Sequence, residues 1–93
     1  MQREIVYDTL ESFVAALKER SIVKISFSET CEKRAEQVEA GRLEVIHVDR
    51  VELIGYRDSI IYKCPLKDVD REALYGRLTA DGFDVTRRSR NIT

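Results

Sequence analysis

The sequence predicts an α+β fold in which two β-α-β units surround a long central strand or hairpin. A run of sheet-forming residues at 43–56 favours this fold, as do two amphipathic helical segments, one before and one after that run. The two segments look like a loose internal repeat, because Phe13 and Leu74 occupy equivalent positions 61 residues apart. We expect a mainly antiparallel sheet with both helices on one face.

The central run, LEVIHVDRVELIGY, is rich in Val and Ile and places apolar side chains on both faces of an extended strand. A straight strand of this length would span about 46 Å, whereas a compact chain of this size has a diameter of about 32 Å. The strand should therefore either bend at a bulge at Asp49 and Arg50, or project and pair with another subunit. The candidate interface residues are Val45, Ile46, Val48, Val51, Leu53, Ile54 and Tyr56.

The first β-α-β unit precedes this run. Residues 5–7 are a short predicted strand, and a helix is expected to begin at Asp8, whose spacing to Glu11 is that of a capping box. Its apolar stripe and the alternating residues of the following strand are Leu10, Phe13, Val14, Leu17, Val23, Ile25 and Phe27.

Residues 30–40 have two alternative interpretations. Cys31, Ala35 and Val38 match the spacing of a helical stripe, and Gly41 could follow the C-cap of such a helix. A hairpin that turns at Ala40 and Gly41 is the alternative, and it would place Val38 opposite Leu43.

The second unit follows a predicted turn at residues 57–59. Residues 60–64 should form a strand whose pairing ends at Pro65, which lacks a backbone donor. Asp68 or Asp70 should cap a helix that runs to about residue 80, with Gly82 just past its end and a last strand after that. The expected inward side chains of this unit are Val69, Ala73, Leu74, Leu78 and Phe83. At fold level, this arrangement resembles a ferredoxin-like sandwich that carries an extra long strand.

The chain should form one domain over residues 1–86, followed by a basic, flexible tail at 87–93. The net charge of −1 argues against a general polyanion binder, since affinity for nucleic acid comes largely from Lys and Arg. The arginines near the C-terminus are the best candidates for contacts with an anion or nucleic acid: Arg77, Arg87, Arg88 and Arg90.

No catalytic motif is present, and the four glycines are isolated, so no phosphate-binding loop is formed. His47 and Asp49 share one face of a strand, and either Cys31 or Cys64 could pair with the histidine. Two free thiols are expected, with a disulfide as the alternative. We therefore predict no enzymatic activity, no metal site and no cofactor.

The absence of an apolar span and of a signal peptide predicts a cytoplasmic protein. Charged residues make up 35% of the chain, a thermophile-like composition. The expected function is that of a small non-enzymatic protein whose sheet is completed by homodimerisation. The alternatives are an anion- or nucleic-acid-binding module, and a regulatory module that binds a small molecule at its dimer interface.

Overall fold

The structure, a computed structural model, describes residues 3–92. Within that range it does not describe the side chains of Arg34, Glu36, Val38, Ile46, Arg90, Asn91 and Ile92. In chain order the elements are β1 (Arg3–Val6), α1 (Leu10–Glu19), β2 (Lys24–Val38), a 3-10 turn (Glu39–Gly41), β3 (Arg42–Arg57), β4 (Ile60–Lys67), α2 (Arg71–Ala80) and β5 (Asp84–Ile92).

All five strands form one mixed sheet in the order β1-β4-β3-β2-β5. The long strand β3 is central and antiparallel to both of its neighbours, while β1 pairs with β4, and β2 with β5, in parallel. The units β1-α1-β2 and β4-α2-β5 therefore interleave around β3. This arrangement confirms the predicted α+β class, and the ferredoxin-like resemblance lies in these two units.

Both helices pack on the same face of the sheet and share one hydrophobic core. The internal repeat is visible in that core, because residues 61 positions apart are buried in equivalent places of the two units. The equivalent pairs are Phe13 and Leu74, Leu17 and Leu78, and Ile22 and Phe83. Neither helix of the described chain has the length or the apolarity needed to cross a membrane.

The helix ends follow local capping chemistry. Thr9, not Asp8 as predicted, is the N-cap of α1, and its hydroxyl accepts a hydrogen bond from the Ser12 amide at 3.3 Å. Asp70, one of the two predicted residues, caps α2 by accepting from the Ala73 amide at 3.2 Å. Gly82 follows the C-cap with φ of 94°, as expected for a residue in that place.

The predicted helix at residues 30–40 is wrong, and the alternative hairpin is correct. Ala40 and Gly41 both have positive φ, at 68° and 71°, and reverse the chain between β2 and β3. The pairing register places Val38 opposite Arg42, and Gln37 opposite Leu43, one residue away from the expected register. A short helix here would have few apolar side chains to pack against the protein, and a short helix is marginally stable without such packing. As a strand, the segment forms backbone hydrogen bonds with β3 along its whole length.

The pairing of β4 does not end at Pro65, contrary to the prediction, but continues to Lys67. The Lys63 carbonyl accepts from the Tyr7 amide, so the backbone of Lys63 points toward β1, and Pro65, two residues on, points the same way. Because β1 pairs only as far as Lys63, the missing donor of Pro65 faces an edge without a partner strand.

One of the two alternatives for the central strand, a bulge, is not formed, and the last strand is longer than predicted. The register between β2 and β3 is continuous through Asp49 and Arg50, so no bulge forms there. At the C-terminus, β5 continues past Thr86 and pairs with β2 as far as Ile92, so residues 87–92 of the predicted tail lie in the sheet. Their mobility stays a prediction.

Strands β2 and β3 extend well beyond the helix layer. The molecule measures 54 × 32 × 20 Å, and no described residue from 30 to 50 is buried. We call residues 30–50 the arm. Of the two outcomes expected for the central strand, bending or projecting, the structure shows projection; pairing with another subunit stays a prediction.

Two glycines provide a matched test of this backbone. A Cβ added at Gly76, inside α2, would meet nothing within 4 Å, and the same holds at Gly82, where φ is positive. We expect Gly76→Ala to raise the free energy of unfolding by about 0.5–1 kcal/mol, and Gly82→Ala to lower it by about 1 kcal/mol. Urea denaturation measures both, and a stabilising Gly82→Ala would contradict the assigned helix end.

Candidate functional site

The arm leaves one edge of β3 without a partner strand. Pairing with β4 ends at Arg50 and Lys67, and the Asp68 amide then donates to the Asp49 carbonyl at 2.8 Å. From residue 42 to 48, β3 pairs only with β2, and no strand in the described chain lies along its other side. The backbone groups that point outward along this free edge therefore have no partner strand among the described residues.

The direction of the backbone groups along this edge follows from Asp49. Its carbonyl points away from β2, and in an antiparallel ladder alternate residues present both the N–H and the C=O on the same side. The amides and carbonyls of Leu43, Val45 and His47 therefore point outward from the free edge. Those of Glu44 and Val48 point toward β2.

Two apolar side chains accompany these groups. Leu43 is 72% exposed and Val45 is 57% exposed, and both lie on the face of the sheet that carries the helices, but beyond the reach of either helix. The half-buried Val48 lies on the opposite face. The side chain of Ile46, another candidate interface residue, lies outside the described residues.

The other candidate interface residues belong to the body of the molecule. Val51 and Leu53 are buried under the helices, where they form part of the core of the single chain. Ile54 is half-buried and Tyr56 is exposed, and both lie on the face without helices. The structure thus divides the predicted interface, and Val45 is its exposed apolar residue among the side chains described in the arm.

The second free edge of the arm is more polar. Pairing between β2 and β5 ends at Glu32 and Ile92, so the outer side of β2 has no partner strand from residue 33 to 38 within the described chain. The residues whose amides and carbonyls point toward that side are Lys33, Ala35 and Gln37. A lysine on an edge strand discourages pairing with another strand.

The structure separates the four candidate arginines. Arg77 on α2 donates to Glu11 at 3.1 Å, and Arg88 is exposed on the face without helices. Arg87 points to the opposite face, where it is an ion-pair partner of Glu29 and Glu72 and its guanidinium lies over two aromatic rings. The side chain of Arg90 lies outside the described residues, so the described arginines form no single basic cluster.

Glu29 is the centre of a polar network that sequence reasoning missed. It is only 3% exposed, and its carboxylate accepts hydrogen bonds from Arg87 at 2.8 and 3.2 Å and from the Ser89 hydroxyl. The bonds from Arg87 hold the pKa of Glu29 below its usual value of 4.5. The alternation of β2 was a usable signal, since Glu29 follows Ile25 and Phe27 on the inward face.

A second polar group lies where the arm leaves the body. The Sγ atom of Cys31 is 4.0 Å from Nδ1 of His47, and Arg71 Nε is 3.9 Å from the Asp49 carboxylate. The Asp49 carboxylate, by accepting a hydrogen bond from the Cys31 thiol, raises the pKa of that thiol. The thiol therefore stays protonated near neutral pH, which disfavours the nucleophilic role considered for Cys31 with His47.

The remaining thiol and the metal-binding groups can be described briefly. Cys64 is buried and free, and burial raises its pKa to about 11. Cys31 is free as well, so Cys31 and Cys64 do not form the disulfide that was considered as the alternative. Among the side chains that the structure describes, no three from His, Cys, Asp or Glu are grouped so that they could hold a metal ion.

The face without helices carries a shallow groove of about 430 Å³. Its charged lining residues are Glu32, Arg50, Glu52 and Lys67, and Arg50 is an ion-pair partner of Glu32. The two carboxylates balance the two cations of this lining. The groove therefore offers no excess of positive charge to an anion.

No family model matches this sequence, and no curated protein matches it with significance.

We predict that the Glu29 network makes stability depend on pH. Because the pKa of Glu29 is depressed in the folded state, its stabilising contribution is present above its unfolded pKa and is lost as the pH falls through the lower folded value. Replacing Glu29 by Gln should lower the free energy of unfolding at pH 7 by about 1–3 kcal/mol, because Arg87 and Ser89 lose a charged acceptor. The difference should shrink below the ordinary carboxyl pKa of 4.5.

Urea denaturation between pH 3 and 7 measures this dependence, with Glu72→Gln as the control. Glu72 binds the same arginine, but its side chain is 76% exposed, so its replacement should cost less. Equal losses for the two variants at pH 7, or a pH-independent loss for Glu29→Gln, would contradict the assigned role of Glu29.

Proposed function

We propose that this chain is a non-enzymatic protein that forms a homodimer through the free edge of β3 in the arm. The observation that carries the proposal is the run of outward backbone groups at residues 43–47 together with exposed Leu43 and Val45. A free edge of this kind is a template for pairing with another strand. Pairing with the same edge of a second copy satisfies both edges at once.

The composition of the edge supports this partner. From Arg42 to Val48, β3 contains no proline, no lysine and no bulge, three of the means by which an edge strand avoids pairing. Its charged residues, Arg42 and Glu44, are ones whose backbone groups point toward β2. Burial of Leu43 and Val45 adds a hydrophobic contribution of about 25 cal/mol for each Å² of apolar surface removed from water. Both the backbone and the side chains of this edge thus gain from a partner.

The alternatives have less support. An anion-binding module would depend on four arginines, of which Arg77 and Arg87 are ion-pair partners of carboxylates on the helix side of the molecule. Arg88 lies on the other face, beside the groove whose charges balance. A regulatory module with its ligand at the dimer interface would first require the dimer proposed here.

Size-exclusion chromatography with light scattering tests this proposal. We expect a mass twice the 10.8 kDa of one chain. Replacing Val45 by Lys should weaken the dimer by roughly tenfold or more, because a charge at the edge, repeated in the second copy, opposes strand pairing.

Val23→Lys is the matched control, since Val23 is exposed to a similar extent, 53% against 57%, but precedes β2 in the body of the molecule. This variant should remain dimeric. A parent protein with the mass of a single chain over a wide range of concentration would overturn the proposal, and so would a Val45→Lys variant that dimerises as strongly as the control.

A further inference from the structure

We infer that the two copies pair about a two-fold axis that passes between their Val45 residues, so that each Leu43 faces the other copy's His47. This inference rests on the homodimer proposed above and assigns its register. It follows from the length of the free edge, the direction of its backbone groups and the charges along it.

Symmetry limits the choice of register. Two identical antiparallel strands that lie side by side in one sheet are related by a two-fold axis perpendicular to that sheet. Both helix layers then lie on the same side, and each residue faces a residue whose side chain is on the same face. The axis must therefore pass beside one residue of β3, and that residue faces the same residue of the second copy.

The free edge is centred on Val45. At one end it is limited by the turn at Glu39–Gly41, and at the other by Asp49, whose carbonyl is bound by the Asp68 amide. Residues 42–48 lie between these limits, and residue 45 is their midpoint. With the axis there, Gly41 of one copy reaches Asp49 of the other, so the tip of each arm meets the point where the other copy's β4 ends.

The backbone groups favour the same centre. Leu43, Val45 and His47 present their amides and carbonyls outward, and an axis at Val45 pairs Val45 with Val45 and Leu43 with His47 in reciprocal hydrogen-bonded pairs. Every outward group of the free edge is then used. The exposed Val45 side chain of one copy also lies against the Val45 side chain of the other copy, with Leu43 beside it.

The neighbouring registers are less favourable. An axis at residue 44 places Glu44 opposite Glu44, where like charges repel. An axis at residue 46 places Leu43 opposite Asp49, and an axis at residue 47 places Val45 opposite Asp49. In both of these cases an outward residue of the free edge faces Asp49, whose carbonyl already accepts a hydrogen bond, whereas an axis at Val45 leaves only the turn residue Gly41 opposite Asp49.

Disulfide cross-linking tests this register with variants that each carry one introduced cysteine in a Cys31→Ser background, where the buried Cys64 is retained. Facing residues in a hydrogen-bonded antiparallel pair have Cα atoms ~5.5 Å apart, within the range that a disulfide bridges. Val45→Cys should therefore cross-link to a covalent dimer under mild oxidation. Leu43→Cys alone should not, since its two copies would be about 14 Å apart along the strands.

A mixture of the Leu43→Cys and His47→Cys variants should cross-link to a covalent dimer, because these two positions face each other only in the inferred register. Light scattering on the unoxidised parent protein distinguishes a failure of the proposed dimer from a failure of the inferred register. A monomeric parent overturns the dimer and its register together. A dimeric parent whose Val45→Cys variant stays uncross-linked, or whose Leu43→Cys variant cross-links alone, overturns the register and leaves the dimer standing.

Discussion

The mismatch in length between the helices and the central strands determines the shape of this molecule. Each helix has ten residues and is about 15 Å long, whereas β2 and β3 have 15 and 16 residues and extend for about 50 Å. The helices can cover only part of such strands. The remaining length becomes the arm, which keeps its backbone hydrogen bonds through pairing within the hairpin but has no helix to bury its apolar side chains.

The core ends in a polar boundary where the helix layer ends. Phe27 is fully buried, and the next inward residue of β2, Glu29, is buried with a charge that Arg87 and Ser89 satisfy. Cys31 and Asp49 face each other one step further out, and Asp49 contacts α2 through its ion pair with Arg71. A buried carboxylate is costly without such partners, so this network fixes how β5 and α2 pack on the sheet where the arm begins.

The two β-α-β units could be predicted from the sequence because their signals are local. Leucines and phenylalanines at helical spacing, aspartate and glycine at the ends of α2, and the repeat of Phe13 at Leu74 all reflect burial within a short stretch. None of the side chains described at residues 30–40 is buried, and the sequence there alternates only weakly between apolar and polar residues, so the hairpin could not be distinguished from a helix. Nor could the sequence distinguish Val45 from Val51, because only the reach of the helices decides which of them is exposed. The division of Arg87 from Arg88 likewise depends on β5 continuing in register with β2.

Amide hydrogen exchange followed by NMR tests most directly whether the free edge of β3 is paired with a second copy. The amides of Leu43, Val45 and His47 point outward, while those of Glu44 and Val48 point to β2 and provide an internal reference. We predict that the three outward amides exchange slowly in concentrated protein and lose that protection on dilution, while the exchange rates of the reference amides change less. Rapid exchange of the outward amides at every concentration, beside slow exchange of the reference amides, would contradict it.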